Sequence, residues 1–465
     1  MDLAGYLLYR LAESRFHLVE ALKGSRSEFL FLTLFVYALV GVLAAYMAVI
    51  LVASHRKPRD PAPRGSWTPP VVTVIVPCLN EEDVIARNVE AVTRLDYPAD
   101  RLQIVYVFDR GGDRTPEILE TLARTHPIEV VENAGGDRSK AGAINHVLRT
   151  RARGSVVAIY DADTRPEPGN VWRAVRWLAE DPTIALVNGR RRIADPGASL
   201  LSRLVSMEYH ALYRIEHYGR PVTGGVALFY GSNGFFRREA LESVAGFDSG
   251  MLVEDIDCGF RLLEDGWRVV YDPHLEELDE APPDLAAWWR QRMRWARGWI
   301  QVVGRHLPLS VRRLTGRRRL SAAFMLVLIP SPLVVVPALS LLLPFFIVPA
   351  YRREFFQPIF WIVVWTLPVA YFMTSWFHDA RRGERRWAEL PIVLAVVPMI
   401  GYFALRALVM WKAFFDHARG RRQAWTKTAR ARSGPGPAQP PGEAHEESAA
   451  HEAEEAHRQG RPLAR

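Results

Sequence analysis

Cysteine is nearly absent from this chain: Cys78 and Cys258 are the only two in 465 residues. They lie far apart, inside segments that read as structured. Neither a disulfide framework nor a zinc-ligand spacing exists, which fits a reducing compartment. No internal repeat is present. Acids are the minority charge, 51 Asp and Glu against 59 Lys and Arg, for a formal net charge of +8. That excess admits nucleic acid, a membrane surface or an anionic substrate as partner. Charge is missing altogether from residues 29–53. This apolar run is long enough to cross a hydrocarbon core of about 30 Å. It starts too late and runs too long for a cleavable signal peptide.

Hydrophobic residues make up 49% of the chain, enough for a large core, but they are unevenly placed. Residues 1–28 mix charge with apolar side chains, as in a segment lying in a membrane interface. Residues 29–53 read as a transmembrane helix, and 54–69 as a linker opening on His55, Arg56 and Lys57. Further apolar runs at 322–350, 358–377 and 390–409 make 322–411 a membrane region of about three spans. The first contains Pro330, Pro332, Pro337 and Pro344, so a kinked helix or a re-entrant pair also fits. A basic amphipathic connector, 306–321, precedes this region and a basic juxtamembrane segment, 412–432, follows it. Residues 433–465 lack a hydrophobic face and read as a disordered tail. Because the cations cluster beside apolar runs, the expected partner is a lipid bilayer and not nucleic acid.

Between these segments, residues 70–305 read as a separate domain. Val71–Pro77, Leu102–Asp109 and Val156–Ile159 are short β-branched runs typical of buried strands, with helical patterns between them. Further helices are expected at Asn170–Glu180 and from Glu254 to Glu264, and further strands at Ile184–Asn188 and Leu228–Arg238. The alternation predicts an α/β fold with a mainly parallel sheet. Such sheets bind ligands beyond the carboxyl ends of their strands. Asn80-Glu81, Asp109 and Asp161-Ala162-Asp163 all fall at such ends. An Asp-x-Asp alone is most simply an exposed acidic loop. Three acid-bearing loops at one sheet edge instead suggest hard oxygen ligands for Mg²⁺ or Mn²⁺ carrying a diphosphate.

Downstream, Glu254-Asp255 pairs two carboxylates at a helix start. Repulsion between them would raise one pKa, as a general base requires, although the helix dipole alone also favours acids there. Gln291-Arg292-Met293-Arg294-Trp295 is cationic and aromatic. Its arginines suit phosphate, or equally a cationic anchor beside the bilayer.

The ordered set Asn80-Glu81, Asp109, Lys140 to Asn145, Asp161-Ala162-Asp163, Glu254-Asp255 and Gln-x-x-Arg-Trp resembles the inverting family 2 glycosyltransferases. It is most similar to the membrane-embedded branch of cellulose, chitin, hyaluronan and poly-N-acetylglucosamine synthases. The resemblance covers about 71–301 and implies a GT-A-type nucleotide-sugar domain set between transmembrane helices. It implies Asp255 as general base, and Asn80, Glu81, Asp109, Lys140, Asp161, Gln291, Arg292 and Arg294 as donor contacts. Gly231, Ser232, Glu254 and Trp295 would meet the acceptor. Asp163, with Asp161, would hold Mg²⁺ or Mn²⁺. The donor would be a nucleotide sugar, first of all a UDP-sugar. The acceptor would be a growing polysaccharide or, alternatively, a lipid, with accessory secretion subunits as possible partners. The protein would be multi-pass in the cell membrane with its catalytic domain cytoplasmic. Leu79 stands where the family often has tyrosine, and Phe108-Asp109 where it often has two aspartates. Both departures fall in the base pocket.

Overall fold

The computed structural model describes residues 45–63, 65–109, 111–328 and 396–421, with isolated helical residues at 38, 41–42, 373, 376–377 and 380. The segments read as interfacial (1–28) and as tail (433–465) lie outside the described residues. Each of the four apolar runs lies at least partly outside them. Among the described residues, no helix is long and apolar enough to cross a membrane.

Eight strands form one mixed sheet: β1 (Val72–Cys78), β2 (Leu102–Phe108), β3 (Glu129–Glu132), β4 (Val156–Ile159), β5 (Arg165–Pro166), β6 (Ile184–Ile193), β7 (Gly234–Arg237) and β8 (Arg268–Asp279). Their order is β3-β2-β1-β4-β7-β6-β8-β5. Strands β3, β2, β1 and β4 are parallel, as the alternation predicts. β7 runs antiparallel to both β4 and β6, while β6 and β8 are parallel to each other. Helices α1 (Ile85–Val92), α2 (Thr115–Leu122), α3 (Lys140–Thr150) and α4 (Asn170–Glu180) are the crossovers.

The β1 sequence is a continuous apolar run because both of its faces are covered. Val72, Val74 and Val76 pack with Ile85 and Val89 of α1 and Ala174 of α4. Ile75 points the other way, with Val105 and Val107 of β2, onto Ala143, Ile144 and Val147 of α3. Each such buried valine or isoleucine contributes about 1.5–3 kcal/mol. The strand tips therefore stand on a rigid base, and β1, β2 and β4 end at the same edge.

Two strands differ from expectation. The strand expected over 228–238 forms only at Gly234–Arg237, because Gly231 (φ 91°) and Asn233 (φ 53°) turn the chain through left-handed backbone. The strand expected to stop at Asn188 continues to Ile193. Its charged end is paired across the sheet: Arg190 and Arg192 with Glu276, and Arg191 with Glu277.

After β6 come α5 (Leu200–His210), a π-helical turn (Ala211–Glu216) and α6 (His217–Val222). α7 (Arg238–Ser243) follows β7, and α8 (Glu254–Glu264) precedes β8. α9 (Leu285–Arg313) runs straight through Pro308, so the boundary expected at 305 falls within a helix. α10 (Gly316–Leu328) and α11 (Val396–Ala418) follow, and the described residues 45–54 are also helical. α11 lies on α9, where the Trp288 indole N–H donates to the Tyr402 hydroxyl at 3.1 Å.

Candidate active site

The Asp-x-Asp turn leaves β4 and is held from beneath. Asn88 of α1, 1% exposed, donates to the backbone carbonyls of Asp161 (3.1 Å) and Thr164 (2.6 Å). Tyr106 of β2 in turn donates to the Asn88 side-chain oxygen at 2.8 Å. A buried amide with its partners satisfied fixes a loop in one conformation. Asp163 is nearly buried. Asp161 is half-buried and already charge-matched: Lys140 Nζ donates to Oδ1, and Arg191 Nη2 lies 2.8 Å from Oδ2.

Lys140 opens α3, whose cap Ser139 accepts from the Gly142 N–H at 3.0 Å. Glycine is required at 142, since a Cβ there would lie 2.3 Å from the Asp137 carbonyl. Lys140 also donates to the Gly231 carbonyl at 2.8 Å. Burial works against its ammonium, but Asp161, Glu254 and Asp255 more than offset this and hold its pKa above the ordinary value. The lysine therefore joins three segments: the β4 tip, the turn before β7 and the start of α8.

Glu254 and Asp255 begin α8, and both are raised above the ordinary carboxylate range. Burial is the larger cause, and mutual repulsion adds to it for Glu254; Lys140 and Arg294 oppose the shift in both. Arg294 of α9 is thus within electrostatic reach of the pair. A Cβ on Gly231 would stand 2.9 Å from Asp255 Oδ2, so the backbone there passes directly over this carboxylate.

At the far side of the edge, Asp109 follows β2 and accepts from the Asn133 amide at 2.8 Å. Burial raises its pKa, while Asn133 and Arg138 oppose the shift. Asn80 has left-handed backbone (φ 53°), and its side-chain oxygen accepts from the Gly112 N–H at 2.9 Å. The Glu81 N–H donates to the Thr115 hydroxyl at 2.7 Å. The β1 and β2 loops are thereby tied together. A cleft of about 180 Å³ lined by Ser139, Lys140, Met251, Glu254 and Gln301 opens beside the lysine.

Two side chains stand elsewhere than the resemblance implies. Ser232 is 1% exposed. Its hydroxyl accepts from the Asp161 N–H (3.0 Å) and donates to Glu277 (2.7 Å), so it braces the site from within and presents nothing to an acceptor. Arg292 is 5% exposed and paired at 2.7 Å with Glu208 of α5, a carboxylate that also accepts from Tyr402. Its guanidinium lies over the Trp295 ring at 4.2 Å. It ties α9 to α5 and stiffens Trp295.

Four residues were not anticipated: Asn88, Asn133, Arg191 and Glu277. Arg191 lies 2.9 Å from Glu277 Oε1 and 3.6 Å from Asp279 Oδ2, besides its contact with Asp161. The signal for Glu277 was present. β8 is another apolar run, Val269–Tyr271, that leads into acids, Glu276-Glu277-Leu278-Asp279.

The metal-ligand chemistry fits in one form. Among the described residues no group of three or more acids, histidines or cysteines is placed to hold an ion. Mg²⁺ and its like, however, are commonly held by one or two carboxylates plus substrate phosphates. Asp163, with Asp161, would be the residues to hold such an ion.

Residues 69–298 match the family model described as glycosyltransferase like family 2. The chain is also 30% identical over 415 residues to a beta-monoglucosyldiacylglycerol synthase of Synechocystis, a match covering 84% of this chain and 82% of that protein. It belongs to the family 2 glycosyltransferases. A probable glycosyltransferase of Bacillus subtilis, YdaM, is 33% identical over 239 residues, which span 50% of this chain and 56% of that protein. Among solved structures, a mannosyltransferase from Pyrobaculum calidifontis in complex with GDP-Man and Mn²⁺ superposes with a TM-score of 0.56 at 23% identity. That overlap covers 84% of this chain and 99% of the other. It supports the GT-A-like assignment of the mixed sheet.

Proposed function

We propose that this family 2 glycosyltransferase moves one hexose from a nucleoside diphosphate sugar to the hydroxyl of a membrane lipid of the diacylglycerol class, with inversion at C1. The observation that carries the lipid acceptor is the extent of the Synechocystis match, which runs well beyond 69–298 along 84% of the chain. The polysaccharide acceptor implied by the motif order is the second reading, favoured by Gln-x-x-Arg-Trp. Burial of Ser232 removes one side chain that had supported it. In either case the acceptor lies in or on a bilayer, the apolar runs flanking 70–305 serve as the anchor, and the need for a nucleotide sugar argues for a catalytic domain that faces the cytoplasm.

The mechanism follows from the charge layout. Asp109, steadied by Asn133, accepts an imide N–H of the base, for which uracil is the first candidate. Lys140 and Arg294 face the diphosphate. The acceptor oxygen attacks C1 as its proton passes to the Asp255 carboxylate. The C1–O bond to the diphosphate breaks, and its electron pair leaves with the diphosphate oxygen. Asp255 is suited to this because burial favours its protonated form. Glu254 beside it orients the hydroxyl. Lys140 and Arg294, already in place, stabilise the charge growing on the leaving group without rearrangement. A divalent ion at Asp163 and Asp161 would supply further neutralisation of that charge.

The test uses the full chain in detergent with diacylglycerol micelles, Mg²⁺ or Mn²⁺, and a panel of nucleotide sugars. Nucleoside diphosphate release from a UDP-hexose and a lipid product heavier by one hexose are expected. EDTA should lower the rate by at least about 100-fold, as expected when a metal carries much of the leaving-group charge. Release from no donor would contradict the site, and a polymeric product would contradict single transfer.

A further inference from the structure

The helix bearing Asp255 and the helix bearing Arg294 must keep a fixed separation if base and leaving-group cation are to act on one substrate. Near the chemistry, α8 and α9 touch closely: a Cβ on Gly298 would lie 2.6 Å from Val253. Two turns further along α9, a polar contact holds the pair. His306 is fully buried, its Nε2 2.9 Å from Asp257 Oδ1 and its Nδ1 3.1 Å from both carboxylate oxygens of Glu264. The ring stacks on Phe260 with centroids 5.1 Å apart. Asp257, Phe260 and Glu264 share one face of α8 at i, i+3 and i+7. Ser310, one turn beyond His306, donates to Glu264 at 3.0 Å.

With both ring nitrogens facing carboxylates, only the doubly protonated imidazolium donates to both. The surrounding charges agree. Arg261 of α8 and Arg305 of α9 also reach Asp257, and Arg305 reaches Asp248 in the preceding loop. Three acids, Asp248, Asp257 and Glu264, then meet three cations, Arg261, Arg305 and His306, and a neutral imidazole would leave this cluster one positive charge short.

We propose that His306 is a positioning residue for the transfer reaction, its imidazolium clamped between Asp257 and Glu264 so that the helix of Asp255 is locked against the helix of Gln291, Arg294 and Trp295. This rests on the reading of those residues as the site. Burial opposes the charged ring, but the two carboxylates prevail and hold its pKa above the ordinary 6.5. A raised pKa stabilises the fold fully below that ordinary value, and the contribution is lost as pH rises through the folded-state value. The wild-type kcat should therefore fall on the alkaline side.

The test measures kcat and donor KM against pH for the full-length wild type, His306→Gln and Glu264→Gln. In H306Q, kcat should drop about 10- to 100-fold with donor KM within about twofold, since small misplacement of reacting groups costs rate before binding. Its alkaline limb should vanish. E264Q keeps the histidine but removes one clamp, so the alkaline limb should move down by about one pH unit. Should H306Q fail to fold, E264Q decides. A kcat within about twofold of wild type at every pH in H306Q, or an unmoved limb in E264Q, overturns the proposal while leaving the site reading intact. A wild type that releases no nucleoside diphosphate overturns both.

Discussion

Asp255→Asn should lower kcat by about 10³-fold while nucleotide-sugar binding persists, within the range that a positioned general base contributes. The amide is isosteric with the carboxylate but cannot take the acceptor's proton. It also removes one of three carboxylates that hold Lys140 protonated, yet Asp161 and Glu254 remain, so the lysine stays charged and the diphosphate contact survives. The pH dependence has a defined sign. A general base works deprotonated, and burial raises Asp255 above the ordinary carboxylate value of 3.8. Activity should therefore decline as pH falls through that raised value, above the pH at which a surface aspartate would titrate. Rates under saturating donor and acceptor, with donor affinity by calorimetry, check both parts. If D255N no longer binds donor, Asp255 is a donor contact and not the base.

Arg191→Met should be the most destabilising of the single changes considered, by about 3–5 kcal/mol, the cost of stripping the partner from a buried ion pair. The arginine side chain is 9% exposed and touches three carboxylates, Asp161, Glu277 and Asp279. Glu277 is itself fully buried, and burial already pushes its pKa up to about 8 against the pull of Arg191. At neutral pH Glu277 is thus already largely protonated, and without the guanidinium its pKa would rise further, leaving Asp161 and Asp279 as the charges that lose their partner. Adding Glu277→Gln should recover part of the loss, because a neutral amide accepts the serine hydroxyl without needing a cation. Urea unfolding of the single and double variants measures the coupling. A loss below about 1 kcal/mol in R191M would mean that the network is solvated and contributes as little as a surface pair.

The strand ends were the most legible part of the molecule. β1, β2 and β4 are short β-branched runs, and the parallel pairing implied by their spacing brings Asn80, Asp109 and Asp161 to one edge. What escaped was whatever depends on distant pairing. The strand expected to end at Asn188 is carried on through Arg190 to Arg192 once β8 is placed beside them. Pairing with Glu276 and Glu277 then turns three arginines and two glutamates into sheet. The turn at Gly231 was visible as small residues, but its purpose was not. It is a brace between Asp161, Lys140 and Glu277, formed by a carbonyl and a buried hydroxyl. Arg292 and Arg294 stand two residues apart on one helix and so point in different directions. Their opposite fates, toward Glu208 and toward Glu254, follow from packing that sequence alone does not show. His306 carries no motif and becomes conspicuous only when α8 supplies acids to both its nitrogens.

The most direct measurement is the anomeric configuration of the product. A UDP-hexose with an α-linked diphosphate would be turned over with the diacylglycerol acceptor, and the product's anomeric proton examined by NMR. One displacement, with Asp255 taking the acceptor proton, predicts a β-glycoside only. An α-glycoside would require two displacements or a front-face path, and would contradict Asp255 as the base of an inverting transfer.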